Sequence, residues 1–294
     1  MSGAPSGPGA DPARETSGVA VTAPESAAAV SPLGSDAAAV APDWQGLRDL
    51  TLARVGLGRA GVSLPTSALL SFEADHALAK DAVHAPFDAA AFAAELAGAG
   101  IATMVLATEA TSREQHLRRP DRGRHLDEHS RDRLRAFAVS VAAPPAHTCD
   151  VALIVSDGLS AGAVAAAGIR VLTRMVPLLR AAQLTVGPVV VVPFGRVGLL
   201  NDVGATLRAR SAVILLGERP GLTAVDSLSG YFEFSPQPGM DDAQRNCVSN
   251  IRDAGLPPEV AGEQLAQLVL AGLRTQRSGT SLKLEFPTHP QIET

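Results

Sequence analysis

Three short polar turns hold the residues of this chain best suited to chemistry: Ser156-Asp157-Gly158-Leu159-Ser160, Phe194-Gly195-Arg196-Val197-Gly198 and Gly217-Glu218-Arg219-Pro220-Gly221. Each follows an apolar run. Glycines at such places let a ligand or another backbone come close, and Asp157, Arg196, Glu218 and Arg219 supply hydrogen-bonding groups at the rim. The chemistry they suit is recognition: no nucleophile pairs with a base, and no two carboxylates form a tuned acid-base pair. The competing expectation is structural, with the charges pairing across tight turns. Convergence of all three turns on one sheet edge favours a ligand site.

Other motifs are weaker. Gly56-Leu57-Gly58-Arg59-Ala60-Gly61 has the GxGxxG spacing of dinucleotide-binding turns. That fingerprint works between a buried strand and a helix whose first N–H groups meet a pyrophosphate. Here Arg48 to Arg54 is mixed and charged, and Leu64-Pro65 delays the helix, so a nucleotide-binding enzyme using Gly56–Gly61 is the alternative reading. Asp127-Glu128-His129 begins like DxHxxG, in which histidine becomes the lower cobalt ligand of some cobalamin proteins, but position 132 is Asp132. His129 therefore reads as structural, beside a helix cap from Asp127 or Ser130. His76 and His84 read as packed or surface histidines of a helix. In the arginine-dense stretch Arg113 to Arg135, interleaved Glu114, Asp121, Asp127, Glu128 and Asp132 predict ion pairs. A nucleic-acid groove would need a single-sign stripe with aromatic residues between its cations.

The elements that must position the three turns are legible around them. Residues 151–155, 189–192 and 212–216 are short apolar runs that predict strands, with helices over Ser160–Ala182 and Asp202–Arg208 between them. Strand, helix, strand, helix, strand implies a parallel sheet with right-handed crossovers, which binds ligands beyond its strands' carboxyl ends. Gly187-Pro188 falls at the start of the second strand, where a missing N–H is tolerated. Pro257–Arg274 predicts a closing helix. The expected fold class is α/β, with a Rossmann-like parallel sheet domain over 147–294, a helical region over 44–146 and a disordered low-complexity tail over 1–43. In the helical region, Ser63 or Thr66 with Pro65 starts a helix that carries Leu69, Leu70, Ala74, Ala77, Leu78 and Ala82 at helical spacing. Further helices are predicted over Asp88–Leu96 and Ser130–Val139, and Pro144-Pro145 marks a joint.

Composition narrows the class. The chain has 294 residues, of which 46% are apolar, enough for a buried core. Its net charge of -5 gives no global attraction to nucleic acid or an anionic membrane. Cys149 and Cys247 stand apart, so neither a disulfide framework nor a zinc site is expected, and a reducing cytoplasm is the expected compartment. No apolar run approaches the length of about 20 residues that a membrane helix needs, and the N-terminus lacks the pattern of a secretory signal.

The three turns, with Asp242-Ala-Gln-Arg-Asn-Cys247-Val-Ser-Asn-Ile-Arg252, strongly resemble the small subunit of ethanolamine ammonia-lyase. So do Gly58-Arg59-Ala-Gly61-Val-Ser-Leu-Pro-Thr66, the segments Asp75-His76-Ala through Lys80-Asp81-Ala-Val-His84, Arg119-Pro-Asp-Arg-Gly123-Arg and Ser278-Gly-Thr-Ser-Leu-Lys283. The likeness runs from about residue 44 to about residue 284, and the order and spacing of these short pieces make it specific. The resemblance implies adenosylcobalamin as cofactor, held between this chain and a large TIM-barrel subunit in a hetero-oligomer, and conversion of ethanolamine to acetaldehyde and ammonia. It carries cobalamin contacts onto Val197, Glu218 and Cys247, with no catalytic residue and no metal ligand in this chain. In this family the cofactor's own benzimidazole is the lower ligand, consistent with the missing DxHxxG. The radical chemistry belongs to the cofactor and the assembly, and this chain's share is binding. Some members carry an N-terminal amphipathic helix that directs them into a bacterial microcompartment; residues 1–43 show no such stripe, which leaves free cytosolic enzyme at least as expected.

Overall fold

A computed structural model of the chain describes residues 43–141 and 147–282. The expected disordered tail, except Asp43, and the Pro144-Pro145 joint lie outside the described residues. The chain divides into two units, one up to Val55 and one from Gly56. In the first, the Asp43 carboxylate accepts from the Gly46 N–H at 2.9 Å and starts α1 (Trp44–Asp49), none of whose residues is buried.

The second unit contains α2 (Thr66–His84), α3 (Ala89–Gly98), β1 (Thr103–Val105), α4 (Arg113–Arg118), α5 (Glu128–Val141) and β2 (Val151–Ser156). There follow α6 (Ala161–Ala163), α7 (Ile169–Ala181), β3 (Val186–Val191), α8 (Leu199–Thr206), β4 (Ser211–Gly217), β5 (Leu228–Phe234), β6 (Asn246–Ile251) and α9 (Pro258–Thr275). A π-helical turn, Val164–Gly168, joins α6 to α7. The fold is α/β with one six-stranded mixed sheet in the order β1-β3-β2-β4-β5-β6. The first four strands are parallel, and β5 and β6 are antiparallel. A wholly parallel sheet is thus corrected to a mixed one. The three expected strands are β2, β3 and β4, and β1 from the earlier part of the chain extends their sheet.

Why these strands read as unbroken apolar runs is visible in their two faces. Val151, Leu153, Val155, Val189, Val191, Val213 and Leu215 share a cluster with residues of α3, α7 and α9. Ala152, Ile154, Val190, Val192, Ala212 and Ile214 join α5 and α8 in a second cluster. Parallel strands covered on both sides need apolar residues at every position. The chain leaves β2 through α6 and α7 on one face to reach β3, and leaves β3 through α8 on the other face to reach β4. The carboxyl ends of β2 and β3 therefore send the chain to opposite faces, which opens a crevice between them.

Local chemistry sets the helix starts. Asp88 accepts from the Ala91 N–H at 2.9 Å, Asp127 from the Ser130 N–H at 2.7 Å, and Ser160 from the Ala163 N–H at 3.2 Å. Pro188 lies inside β3 rather than at its start. The register moves from Val151 opposite Val186 to Leu153 opposite Val189, and this one-residue irregularity accommodates the proline. Helix α2 forms as expected, but its apolar stripe is not core: Leu69, Leu70 and Leu78 are exposed, and only Ala79 is buried. The run Ala161–Ala181 is long and apolar enough to cross a membrane, contrary to the sequence expectation. Half of it is buried, and Val171, Leu172, Met175 and Leu179 of α7 are inaccessible in the core.

Candidate functional site

All three polar turns meet at the carboxyl edge of the sheet and hold one another there. Asp157 is wholly buried, not at the rim as the sequence suggested. Its Oδ1 accepts from the Phe194 N–H at 2.7 Å, and its Oδ2 pairs with Arg113, whose Nη1 donates to the Gly158 carbonyl at 2.7 Å. Burial pushes the Asp157 carboxyl up, against the pull of the Arg113 charge and the Phe194 N–H. For this residue the structural expectation holds: Asp157 is the clasp of the β2 and β3 turns. The Gly195 N–H donates to Ser156 Oγ at 2.7 Å, and the Leu159 N–H to the Gly217 carbonyl at 3.0 Å. The turn glycines serve this contact between backbones. A Cβ on Gly158 would stand 2.5 Å from Gly217 O, and one on Gly217 would stand 2.5 Å from Asp157 O.

Beneath the β3 turn lies His116, which sequence reasoning did not single out. It is fully buried on α4, with Nδ1 2.8 Å from the Phe194 carbonyl. Because a carbonyl only accepts, Nδ1 carries the hydrogen. Burial, then the charge of Arg196, lowers its pKa to about 4. Nε2 has no partner. Arg196 Nη2 donates to the His116 carbonyl at 2.8 Å, while its Nε is buried without a partner. Burial, followed by the charges of Arg113, Arg219 and Arg124, lowers the Arg196 pKa. Part of the arginine-dense stretch pairs as expected, Arg118 with Glu114, Arg119 with Asp121 and Arg135 with Asp132, whereas Arg131 reaches Asp202 on α8, Arg122 donates to Gln115 and Arg133 to the Val105 carbonyl.

Above these turns is a crevice of about 300 Å³, walled by Leu159, Arg196, Val197, Glu218, Arg219 and Tyr231 among others. Val197 and Glu218 thus line one cavity although they are twenty-one positions apart in sequence (218 less 197). Glu218 Oε1 accepts from Ser229 Oγ and, at 3.1 Å, from the Asn250 N–H. Cys247 on β6 is opposite Tyr231 of β5. The residue is exposed, but the thiol end is close to Ser229 and Tyr231; burial there raises the thiol pKa, and the two hydroxyls pull it back. Burial and the adjoining Cys247 push the Tyr231 phenol up to about 12, so it remains a neutral donor at ordinary pH. The structure therefore brings Val197 and Glu218 to one crevice and sets Cys247 beside Tyr231, which lines it, without making Cys247 itself a lining residue. It adds Ser229 and Tyr231, whose only sequence signal was membership of a strand that the reading missed.

Next to the crevice, Asn201, Glu233 and Arg245 form a buried polar lock. Arg245 Nε donates to Glu233 Oε2 at 2.9 Å, and Asn201 Nδ2 donates to Glu233 Oε1 at 3.1 Å. The Gly56–Gly61 motif has no comparable setting. Its three glycines have positive φ, no strand precedes it among the described residues, and the next helix waits until Thr66. The requirements of a dinucleotide-binding turn are not met there. The described residues also contain no cluster of three or more His, Cys, Asp or Glu able to hold a metal.

A mixed sheet with clasped polar turns and a crevice at its carboxyl edge places this chain among the open α/β proteins, whose ligands bind at such an edge. Comparison with known proteins makes the class specific. Residues 41–283 match the family model described as "Ethanolamine ammonia-lyase light chain (EutC)". The chain is 46% identical over 237 residues to the "Ethanolamine ammonia-lyase small subunit" of Rhodopseudomonas palustris (strain BisA53), covering 81% of this chain and 88% of that protein. It is 48% identical over 240 residues to the protein of the same name from Ralstonia nicotianae, covering 82% and 87%. The chain belongs to the ethanolamine ammonia-lyase light-chain family.

Proposed function

We propose that this chain is the small subunit of an adenosylcobalamin-dependent ethanolamine ammonia-lyase, active only with a large TIM-barrel subunit, and that it forms one wall of the cobalamin site. The observation that carries the reading is that Val197 and Glu218, from two separate turns, line one crevice, with Cys247 behind it as the cross-strand neighbour of the lining residue Tyr231. The crevice fits part of such a group. At about 300 Å³ it is at the small end for a drug-sized ligand, and a corrinoid is much larger, so this chain can enclose only one side. Its polar edge and apolar floor suit the amide-fringed rim of a corrin ring.

Each residue has a definable task. Val197 presents an apolar wall. Glu218 uses Oε1 for Ser229 and Asn250, which leaves Oε2 to accept from an amide of the cofactor. Cys247 packs as a small soft group beside Tyr231. No residue of this chain is assigned to cobalt. When bound, adenosylcobalamin supplies the radical reactivity through its cobalt–carbon bond, and the protein supplies orientation and exclusion of water.

The proposal includes a Rossmann-like role for the sheet: residues 147–294 serve as the cobalamin-binding domain and residues 44–146 as a mainly helical region before it. It includes a cytoplasmic enzyme, with microcompartment packaging as the second location. Co-expression with a large subunit tests the function. The complex is expected to bind adenosylcobalamin, seen in its visible spectrum, and to release ammonia from ethanolamine, while this chain alone does neither. A stable complex that takes up no cobalamin contradicts the proposal.

A further inference from the structure

A second cavity of about 450 Å³ adjoins the crevice, sharing Leu159, Arg196 and Arg219 with it. Its other wall is α2, which places His76, Lys80 and His84 at intervals of four along one face. Arg196 and Arg219 face them from the β3 and β4 turns. No carboxylate lines this cavity. Asp157, the nearest acid among the clasping residues, is buried and engaged by Arg113, and Glu218 lines the neighbouring crevice. Arg196 Nε is a buried donor with no partner. Leu117 and Leu222 add apolar surface.

We propose that this cavity is a binding site for a phosphate ester, with Arg196, Arg219 and Lys80 as the anion-holding groups. Cations here converge from three elements on a concavity, in a protein whose net charge is negative. Guanidinium forks match tetrahedral oxyanions in two-point pairing, and a lysine adds a movable point charge. Two sources share this chemistry: the phosphodiester in the nucleotide arm of a cobalamin, which rests on the function proposed above, and a free phosphorylated small molecule.

The test uses the full chain and its complex with the large subunit. Inorganic phosphate is titrated by ³¹P NMR into wild type, Lys80→Gln, Arg219→Gln and Lys80→Arg. Saturable binding is expected in wild type, weakened about ten- to hundredfold in either Gln variant and largely kept in Lys80→Arg. Lys80 and Arg219 are both exposed, so the fold does not rest on them. In the complex, affinity is then measured for adenosylcobalamin and for adenosylcobinamide, which lacks the nucleotide arm. If the phosphate is the cofactor's, phosphate competes with the first only, and the Gln variants weaken the first only. If it is free, phosphate binds alongside both corrinoids. Absence of saturable phosphate binding in both forms overturns the site, as does equal weakening of both corrinoids by the variants. Loss of complex formation in the Gln variants without phosphate binding points instead to an acidic partner surface, and also overturns it. Failure of adenosylcobalamin to bind wild type counts against the cobalamin reading alone and leaves the phosphate titration to decide this one.

Discussion

His116 gives the most quantitative prediction. Its ring is enclosed, its Nδ1 hydrogen is committed to Phe194 O, and the neighbouring Arg196 charge opposes a second proton. The folded state therefore protonates it near pH 4, against 6.5 for the free side chain. Between those values the unfolded chain binds more protons than the folded one, so stability falls as pH falls. The contribution is fully present above the unfolded value and lost as pH drops toward the folded one. Across the window it amounts to about 3 kcal/mol, at about 1.4 kcal/mol per pH unit, and acidification from about pH 7 to about pH 5 removes about 2 kcal/mol of it. Urea unfolding of wild type and His116→Asn across this range isolates the effect. Asn keeps a donor for Phe194 O and has no proton to gain. Wild type is expected to lose about 2 kcal/mol more than the variant between the two conditions. Parallel pH profiles would refute the argument, because they would mean that His116 does not enter the fold as an excluded cation.

Two further perturbations probe how the site is held. Gly217→Ala places a Cβ 2.5 Å from Asp157 O and nearer still to Ser160 O, so the turns must separate. A loss of about 1–3 kcal/mol in urea unfolding is expected, and unchanged stability would show that the clasp yields freely. Arg245→Met leaves Glu233, fully buried, without its cation. That should cost about 3–5 kcal/mol, while a double change to Met with Glu233→Gln should recover part of it.

How much of this was legible in the sequence depended on burial. Strands β2, β3 and β4 are covered on both faces and so appear as uninterrupted apolar runs ending in polar turns, which located the edge of the sheet. Strand β1 has only three residues, too few to show a period, and β5 mixes Ser229, Gly230 and Glu233 with its apolar positions because it adjoins the crevice and the buried lock. Helix α2 was recognised from spacing, yet spacing cannot say whether Leu69, Leu70 and Leu78 have anything to pack against. Among the turn residues, sequence identified the groups but not their depth. Asp157 and Glu218 both follow a strand; one lies under the turns and the other lines a cavity. His116 was invisible because nothing in Arg113 to Arg118 marks which side of that short helix enters the interior. The family motifs contributed what periodicity does not, the association of Cys247 with turns far from it in sequence.

The crevice at the carboxyl edge of the sheet is proposed as one wall of the cobalamin site. Val197→Trp fills that crevice from its apolar side. The variant and wild-type chains are co-purified with the large subunit, supplied with adenosylcobalamin, and compared by visible absorbance at equal protein. The expected result is intact complex in both, with the cobalamin bands carried by wild type and lost from the variant. Equal cobalamin on both complexes would contradict the claim and place the cofactor elsewhere.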